Sequence, residues 1–363
     1  MKSNTQDCMA TRYRPKKLSE LLGQPHTVQV VRGMLSGSIP RTILIDGPYG
    51  TGKTSLARLI AHAVNCLDRK EGDLCGECAY CVEIQKGNDP GTIHELNGAE
   101  ARGIDESRKL INTAQYMPRG HQYRVFILDE VQQLTAEAFK ALLKILEEPP
   151  KHTIFILCTT EPGRIPPEIR SRMLRLVVRS VEPDVLSKHL RRIAKAEQHV
   201  IGIETAQKIA RASRGHVRDA INILEAFCCA AKSAENTDPD NLLESLLVET
   251  SDALALDYVA ALHSGEIETA LLCLNRVRNH ALFCEASVRV ATHMVRSYYD
   301  RSGKLRDPHM SDLYDRYDHT NLSQKVHIIL VTLNGAATRV KQYQTNDPYA
   351  IMVEATVMAA GSK

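Results

Sequence analysis

The chain has 363 residues, of which 43% are hydrophobic and 25% charged, the balance of a soluble globular protein long enough for two or three domains. Its 46 basic and 43 acidic residues leave a net charge of only +3, so overall charge implies no attraction to nucleic acid or membranes. The sequence contains neither a long apolar run nor an apolar N-terminal segment. We therefore expect no membrane span, no signal peptide and a cytoplasmic location.

The first half of the chain alternates between short β-rich runs and amphipathic runs. Two of the β-rich runs, 123–129 and 153–158, are continuously apolar, which is typical of strands buried on both faces. Strands that alternate with helices predict an α/β domain with a parallel sheet and helices on both faces. The five predicted strands are 42–46, 92–97, 123–129, 153–158 and 173–178.

One helix is predicted in detail after the third strand. Thr135 has the side chain of an N-cap residue, and Glu137 places an acid in the first turn. Apolar residues follow at helical spacing, and Pro149 with Pro150 ends the helix.

The pattern is helical from about residue 182 to the end. A polar stretch at 232–241, rich in Asp and Asn, is typical of a linker. We therefore predict a nucleotide-binding domain at 1–181, a smaller helical domain at 182–240 and an all-helical domain at 241–363.

Residues 47–54 read GPYGTGKT and match the phosphate-binding loop G-x-x-x-x-G-K-[ST]. Glycines let the backbone curl so that its N–H groups point at phosphate oxygens, and Lys53 adds a positive charge. The Thr54 hydroxyl can bind Mg²⁺. The loop by itself predicts only a bound nucleotide. The predicted nucleotide-binding residues of this segment are Gly47, Pro48, Tyr49, Gly50, Thr51, Gly52, Lys53, Thr54 and Ser55.

The third predicted strand ends in two acids, Asp129 and Glu130. At the carboxyl end of a strand in an open sheet, such a pair faces the ligand crevice. We expect Asp129 to hold Mg²⁺ and Glu130 to orient or polarise the attacking water. The alternative is a strand that ends in two solvated carboxylates.

Four cysteines, Cys66, Cys75, Cys78 and Cys81, follow the spacing C-x8-C-x2-C-x2-C. Four thiolates suit tetrahedral Zn²⁺, and a closed four-ligand site leaves no open position for catalysis. A reducing cytosol disfavours disulfides. An iron–sulfur cluster is chemically possible, although nothing else here suggests electron transfer.

Three further features narrow the kind of nucleotide-binding protein. Thr159 and Thr160 end a buried strand, where a hydroxyl next to Asp129 can sense the γ-phosphate. Arg172 follows the segment PPEIRS. Arg218 opens a later helix and lies beside its apolar stripe.

Together these stretches resemble the gamma/tau clamp-loader subunits of bacterial DNA polymerase III, within the AAA+ ATPases. The resemblance covers about the first 230 residues, and beyond them only length and helical character match. The sequence resembles a short form of these subunits, and we expect it to lack the long extension of tau. The matching stretches are RYRPKKLSELLGQPH, GPYGTGKTSLARLIAHAVNC with the cysteines that follow, FILDEVQQLT, ALLKILEEPP, CTTEPGRIPPEIRSR and GHVRDA.

The resemblance implies catalytic roles for these positions. Lys53 and Thr54 bind phosphate and Mg²⁺, and Asp129 and Glu130 form the Walker B pair. Thr160 is implied as sensor 1, with Thr159 as the alternative.

Three arginines also receive roles from the resemblance. Arg218 is sensor 2 and contacts phosphate in the same subunit, whereas Arg172 is an arginine finger for the neighbouring subunit's ATP. Arg14 belongs to the segment that covers the nucleotide base. For each of Arg172 and Arg218, a solvated surface arginine is the alternative.

The family also implies contact with DNA. Arg102 and Arg108 correspond to a region that faces DNA, although ordinary solvated helix charges explain them equally well.

The family implies an ATP- and Mg²⁺-dependent motor with a structural Zn²⁺. In this family, ATP binding is expected to drive the opening of a sliding clamp and the binding of primer–template DNA. Hydrolysis is then expected to release the closed clamp on DNA. The implied partners are delta-like and delta-prime-like subunits, the clamp and DNA, in a hetero-oligomer with several copies of this chain and with no membrane. The 241–363 region is expected to form its collar.

The alternatives are a non-hydrolysing scaffold subunit and another AAA+ DNA motor, such as a helicase or recombination ATPase. Two departures from the family are Met173 where cysteine is usual and Gln132 where histidine is frequent. Without a tau extension, tethering of polymerase and helicase is not expected.

Overall fold

The computed structural model describes residues 8–88, 91–98, 103–233, 243, 252–277, 280–299, 325–342 and 348–361. It divides into two compact units, Met1–Val181 with His216–Ile221, and Glu182–Gly215 with Asn222–Lys363. Among the described helices, none combines the length and apolarity needed to cross a membrane.

The first unit is built on a five-stranded sheet with the order β2-β3-β4-β1-β5, in which every neighbouring pair is parallel. The predicted parallel α/β sheet is therefore confirmed, and each strand lies within one or two residues of its predicted position. The strands are β1 Thr42–Asp46, β2 Ile93–Asn97, β3 Arg124–Asp129, β4 Thr153–Thr159 and β5 Leu174–Val177.

Seven helices and three 3-10 turns accompany the sheet in the described part of this unit. The turns are Leu18–Glu20, Val131–Gln133 and Pro162–Arg164. The helices are α1 Met9–Arg12, α2 Pro25–Ser36, α3 Lys53–Asn65, α4 Ala79–Gln85, α5 Ile104–Ala114, α6 Ala136–Glu147 and α7 Pro167–Arg170.

Successive side chains of the central strands enter two different hydrophobic cores, because a strand's side chains alternate between the faces of its sheet. On one face Val125, Ile127 and Ile156 pack with α2 and α3. On the other face Phe126 and Phe155 pack with α5 and α6, and their rings stack at 5.3 Å. Burial on both faces explains why these strands are continuously apolar in sequence.

Helix α6 forms as its sequence predicts. The Thr135 hydroxyl accepts a hydrogen bond from the Ala138 N–H at 3.2 Å, which satisfies one of the donors exposed at a helix N-terminus. The helix ends at Glu147, before the two prolines. Its buried face is formed by Ala138, Phe139, Leu142, Ile145 and Leu146.

The second unit is helical throughout its described residues. Its helices are α8 Pro183–Ala196, α9 Ile203–Ala212, the later part of α10 Val217–Ser233, α11 Asp252–Ser264, α12 Ile267–Asn275, α13 His280–Tyr299, α14 Lys325–Gln342 and α15 Pro348–Gly361. The predicted linker starts inside α10, and from residue 234 onward it lies outside the described residues.

Helices α11 to α15 share one hydrophobic core. At its centre Tyr258 is fully buried, meets Phe283 edge to face at 5.3 Å and shares a 2.7 Å hydrogen bond with Thr356. A buried phenol with a hydroxyl partner avoids the free-energy cost of an unpaired polar group.

We predict that Thr135→Ala lowers the free energy of unfolding of the first unit by about 1 kcal/mol, because the helix loses its N-cap acceptor. Chemical denaturation of the full chain, followed through a probe in this unit, measures the change. Thr135→Ser is the control because it keeps the hydroxyl. Equal destabilisation by both variants would contradict the capping role.

Candidate nucleotide and metal sites

The loop at 47–54 connects β1 to α3, as its motif predicts. Gly50 and Gly52 have φ angles of 70° and 101°, which side chains other than glycine rarely adopt. A Cβ on Gly47 would lie 2.1 Å from the carbonyl oxygen of Val178, so no side chain fits there. Backbone conformation requires glycine at positions 50 and 52, and close packing requires it at position 47. The curled backbone has the shape of a phosphate-binding loop.

Lys53 is the first residue of α3, and only 5% of its surface is exposed. Its ammonium group donates to the Pro48 carbonyl oxygen at 2.9 Å. Burial lowers the pKa of Lys53 below its ordinary value, and the nearby Glu130 and Asp129 carboxylates oppose that shift. The loop thus closes around its own lysine and holds a positive charge beside two acids.

The Thr54 hydroxyl donates a 2.6 Å hydrogen bond to Asp129 Oδ2. This contact joins the loop after β1 to the carboxyl end of β3, although β4 lies between the two strands. A hydroxyl and a carboxylate oxygen at this spacing fit the hard oxygen ligands of Mg²⁺. The structure therefore brings together the two residues that were predicted to bind magnesium.

Glu130 adopts a left-handed backbone conformation with φ 48° and ψ 43°. At the end of β2, the Gly98 N–H donates to the Asp129 carbonyl oxygen at 2.7 Å. A Cβ on Gly98 would lie 2.4 Å from the Glu130 carbonyl oxygen. The sequence analysis missed Gly98, because nothing local marks a glycine that packs against another strand.

Gln132 was noted in the sequence only as a departure from the family, yet its buried amide connects the predicted catalytic residues. The amide nitrogen donates to Glu130 Oε2 and, at 3.0 Å, to the Thr160 hydroxyl. The amide oxygen accepts from the Thr159 hydroxyl at 2.8 Å. The predicted water-orienting acid and both candidate sensors are thereby joined through one side chain.

The first turn of α10 lies against the loop. The Arg218 N–H donates to the Gly50 carbonyl oxygen at 3.3 Å, and its guanidinium donates to the Tyr49 hydroxyl at 3.4 Å. Arg218 is thus held beside the phosphate-binding loop. Ser55 is half-buried in the first turn of α3, and Arg14 is half-buried just after α1.

The segment before α2 packs beside the loop. Gln24 is buried, and its side-chain amide forms two hydrogen bonds with the backbone of Arg179. The amide nitrogen donates to the Arg179 carbonyl oxygen at 2.6 Å, and the amide oxygen accepts from the Arg179 N–H at 3.0 Å. Leu21 approaches within 3.6 Å of the position a Cβ on Gly52 would occupy. This N-terminal segment is therefore positioned next to the phosphate-binding loop.

The Arg172 side chain lies in the turn between α7 and β5, where 57% of its surface is exposed. Its guanidinium pairs with Glu147 of α6 at 3.6 Å. Arg108 is exposed on α5 and pairs with Asp105 of the same helix at 3.4 Å. Arg102 lies outside the described residues.

The four predicted cysteines come together in one cluster, with all their sulfur atoms within 4.8 Å of one another. A tetrahedral zinc with Zn–S bonds of about 2.3 Å places its sulfurs roughly 3.8 Å apart. The Sγ–Sγ distances are 3.5 Å for Cys66–Cys75, 4.0 Å for Cys66–Cys78, 3.9 Å for Cys75–Cys81 and 3.7 Å for Cys66–Cys81. The donor set therefore fits one tetrahedral metal ion.

Backbone N–H groups surround these sulfurs. Those of Glu77 and Cys78 donate to Cys75 Sγ at 3.4 and 3.3 Å. Burial by itself raises the pKa of Cys75, but these hydrogen bonds help to lower it to about 6. Burial raises the pKa of Cys66. N–H donors favour the thiolate form that binds metal.

Asp73, inside the cysteine segment, ties this module to the N-terminal segment. Its carboxylate accepts from the N–H groups of Leu18 at 3.1 Å and Ser19 at 3.2 Å, and it pairs with Arg32 at 3.5 Å. The neighbouring Gly72 packs so closely that a Cβ would lie 2.6 Å from the Arg32 carbonyl oxygen. The sequence analysis did not identify Asp73, because its partners are far away in the chain.

Asp46, the last residue of β1, is a second acid that the sequence analysis missed. The Arg175 guanidinium donates to both of its carboxylate oxygens, at 2.7 and 2.8 Å. This bidentate pair joins β1 to β5 immediately before the phosphate-binding loop.

Comparison with known proteins identifies the family to which this chain is similar. The family model described as "DNA polymerase III, delta subunit" matches residues 23–182. The gamma/tau subunit of DNA polymerase III from Mycobacterium bovis is 39% identical over 254 residues, which cover 69% of this chain and 43% of that protein. The tau/gamma subunit from Haemophilus influenzae is 32% identical over 75% of this chain and 39% of its own length. The chain thus spans about four-tenths of the length of these two relatives.

The gamma subunit of DNA polymerase III from Buchnera aphidicola matches over most of both chains. It is 31% identical over 319 residues, which cover 88% of this chain and 86% of that protein. Among solved structures, a variant of RuvB from Thermotoga maritima has a TM-score of 0.51 at 20% identity, over 69% of this chain and 79% of its own. That likeness concerns the fold alone. Over the aligned part the chain therefore shares the fold of that RuvB structure, and by its sequence it belongs to the DNA polymerase III gamma/tau family.

Proposed function

We propose that this protein is an ATP-hydrolysing subunit of a DNA sliding-clamp loader. The observation that carries the proposal is the contact between Thr54 and Asp129, which joins an intact phosphate-binding loop to an acid-ended strand. Lys53 lies buried beside them. A phosphoryl-transfer site needs fixed cations, oxygen ligands for Mg²⁺ and an acid near the attacking water, and these side chains supply each of them.

Each residue has a defined part in this proposal. Lys53 holds the β- and γ-phosphate oxygens, and Thr54 and Asp129 bind Mg²⁺, which neutralises phosphate charge when present. Glu130 orients the attacking water, and Thr160 senses the γ-phosphate. Arg218 and Arg14 act within the same subunit. Arg218 contacts phosphate as sensor 2, and Arg14 lies in the segment over the base.

The proposed cycle couples ATP to assembly. ATP binding orders a hetero-oligomer that contains several copies of this chain with delta-like and delta-prime-like subunits, and the ordered complex opens the clamp and binds primer–template DNA. Hydrolysis then releases the closed clamp on DNA. Region 182–240 serves as a lid, and region 241–363, which includes the shared core of α11 to α15, serves as a collar. Arg108 contributes to the DNA-facing surface.

Arg172 supplies charge to the ATP site of the neighbouring subunit in this proposal. Its exposure and its position in a turn support an intersubunit role, because an arginine finger must reach beyond its own subunit. Its ion pair with Glu147 is partly exposed and therefore contributes little to stability. A stronger partner can thus replace Glu147.

The two alternatives are less well supported. A non-hydrolysing scaffold subunit predicts a degraded phosphate-binding loop, whereas Lys53, Thr54 and the acids are all present here. Another AAA+ DNA motor, such as a helicase or recombination ATPase, shares the fold but gives no reason for the four-cysteine module.

ATPase assays of the purified chain, alone and with its clamp-loader subunits, clamp and primed DNA, test the proposal. We predict that Lys53→Ala abolishes ATP binding or turnover, because the phosphates lose their buried cation. Lys151→Ala, at an exposed lysine, is the control and should retain activity. If no combination of partners and DNA stimulates hydrolysis by the wild-type chain, the clamp-loader proposal is wrong.

We predict that Arg172→Ala leaves ATP affinity unchanged and reduces turnover of the assembled complex by about 1,000-fold or more. Equilibrium binding of an ATP analogue and steady-state hydrolysis separate the two effects. Glu147→Ala is the matched control, since it breaks the ion pair and keeps the arginine. Full turnover by the Arg172 variant would exclude the arginine-finger role.

We predict one zinc ion per chain, held by Cys66, Cys75, Cys78 and Cys81, with a structural role. Metal analysis at neutral pH should find it, and acid should release it because protonation removes the thiolate ligands. Cys78→Ser should lower zinc content, whereas Cys229→Ser, outside the cluster, should not. Absence of metal together with four freely titrating thiols would overturn the assignment.

A further inference from the structure

The side chain of Gln132 occupies a junction between the ends of two neighbouring strands. It lies in the 3-10 turn Val131–Gln133 that follows β3, and only 8% of its surface is exposed. Its amide nitrogen donates to Glu130 and Thr160, and its amide oxygen accepts from Thr159. Both N–H bonds and one lone pair of the amide are thus used by three side chains.

The partners of Gln132 are themselves constrained. Thr159 is fully buried, and its hydroxyl also accepts from the Glu161 N–H at 3.0 Å. Glu130 has a left-handed backbone, an uncommon conformation for a residue other than glycine, which persists only where its surroundings hold it. The amide therefore links the ends of β3 and β4, and buried polar groups left without it would cost free energy.

The chemistry at the two ends of this link is complementary. The Thr160 hydroxyl accepts from Gln132 and carries an O–H that can donate to a phosphate oxygen. The Glu130 carboxylate receives the other N–H of the same amide. A displacement of Thr160 on phosphate binding would shift the amide and, with it, the carboxylate that orients water.

We propose that Gln132 is a positioning residue that couples the Thr160 hydroxyl to the orientation of the Glu130 carboxylate, so that hydrolysis begins only when the γ-phosphate is engaged. The inference rests on the proposed ATPase function. Gln132 touches the catalytic acid and the sensor and acts through them, without contact with the reacting atoms.

The test replaces Gln132 with methionine, which has a similar shape but cannot form these hydrogen bonds. In the assembled complex, Gln132→Met should lower kcat for ATP hydrolysis by about tenfold or more and leave KM for ATP within about threefold. Gln133→Met is the matched control, because Gln133 belongs to the same turn and is exposed. It should leave both constants unchanged.

A double-mutant cycle separates coupling from a merely structural role. If the amide acts through Thr160, the combined Gln132→Met and Thr160→Val variant should lose little more kcat than the more impaired single variant. Losses that multiply would overturn the coupling. If the Gln132 variant does not fold, Thr159→Val removes the donor to the amide oxygen from the other side. That variant should lower kcat with little change in KM.

The outcomes distinguish the two levels of the proposal. A wild-type complex that hydrolyses ATP, together with Gln132→Met at the wild-type rate, would overturn this inference alone. A wild-type complex that hydrolyses no ATP would overturn the proposed function and this inference with it.

Discussion

The buried ammonium group of Lys53 is the constraint on which the nucleotide-binding edge depends. A cation with 5% of its surface exposed is costly unless oxygen atoms and opposite charges surround it. The Pro48 carbonyl supplies an oxygen at 2.9 Å, and the acids that end β3 supply the charge. One buried positive charge is therefore stabilised by the curvature of the loop, by the order of the strands and by the position of Asp129.

The order of the strands makes this arrangement possible. Because β4 lies between β1 and β3, the carboxyl ends of all three strands meet along one edge of the sheet. Thr54 reaches across that edge to Asp129, and Gln132 fills the junction between β3 and β4. The side chains proposed to bind phosphate, bind metal and sense the γ-phosphate are thus connected by hydrogen bonds between strand ends, which limits their independent movement.

The cysteine module, residues 66–81, is connected to the rest of this unit through hydrogen bonds and an ion pair of Asp73. Asp73 holds the backbone of Leu18 and Ser19, and the same N-terminal segment continues to Leu21 and Gln24 beside the phosphate-binding loop. A metal ion that orders the cysteines would therefore also order Asp73 and the segment next to that loop.

The sequence alone determined the features that depend on residues close together in the chain. The loop at 47–54, the acid-ended strand, the Thr135 cap and the cysteine spacing could all be recognised because their geometry is local. Only the tertiary structure decided the contacts of Gln132, Asp73 and Gly98. Apart from Glu130, which is two residues from Gln132, their partners lie on other strands or in distant segments, and no local pattern encodes which polar groups meet once the strands align. Burial then makes those contacts matter, because a polar group removed from water must find its partner within the fold.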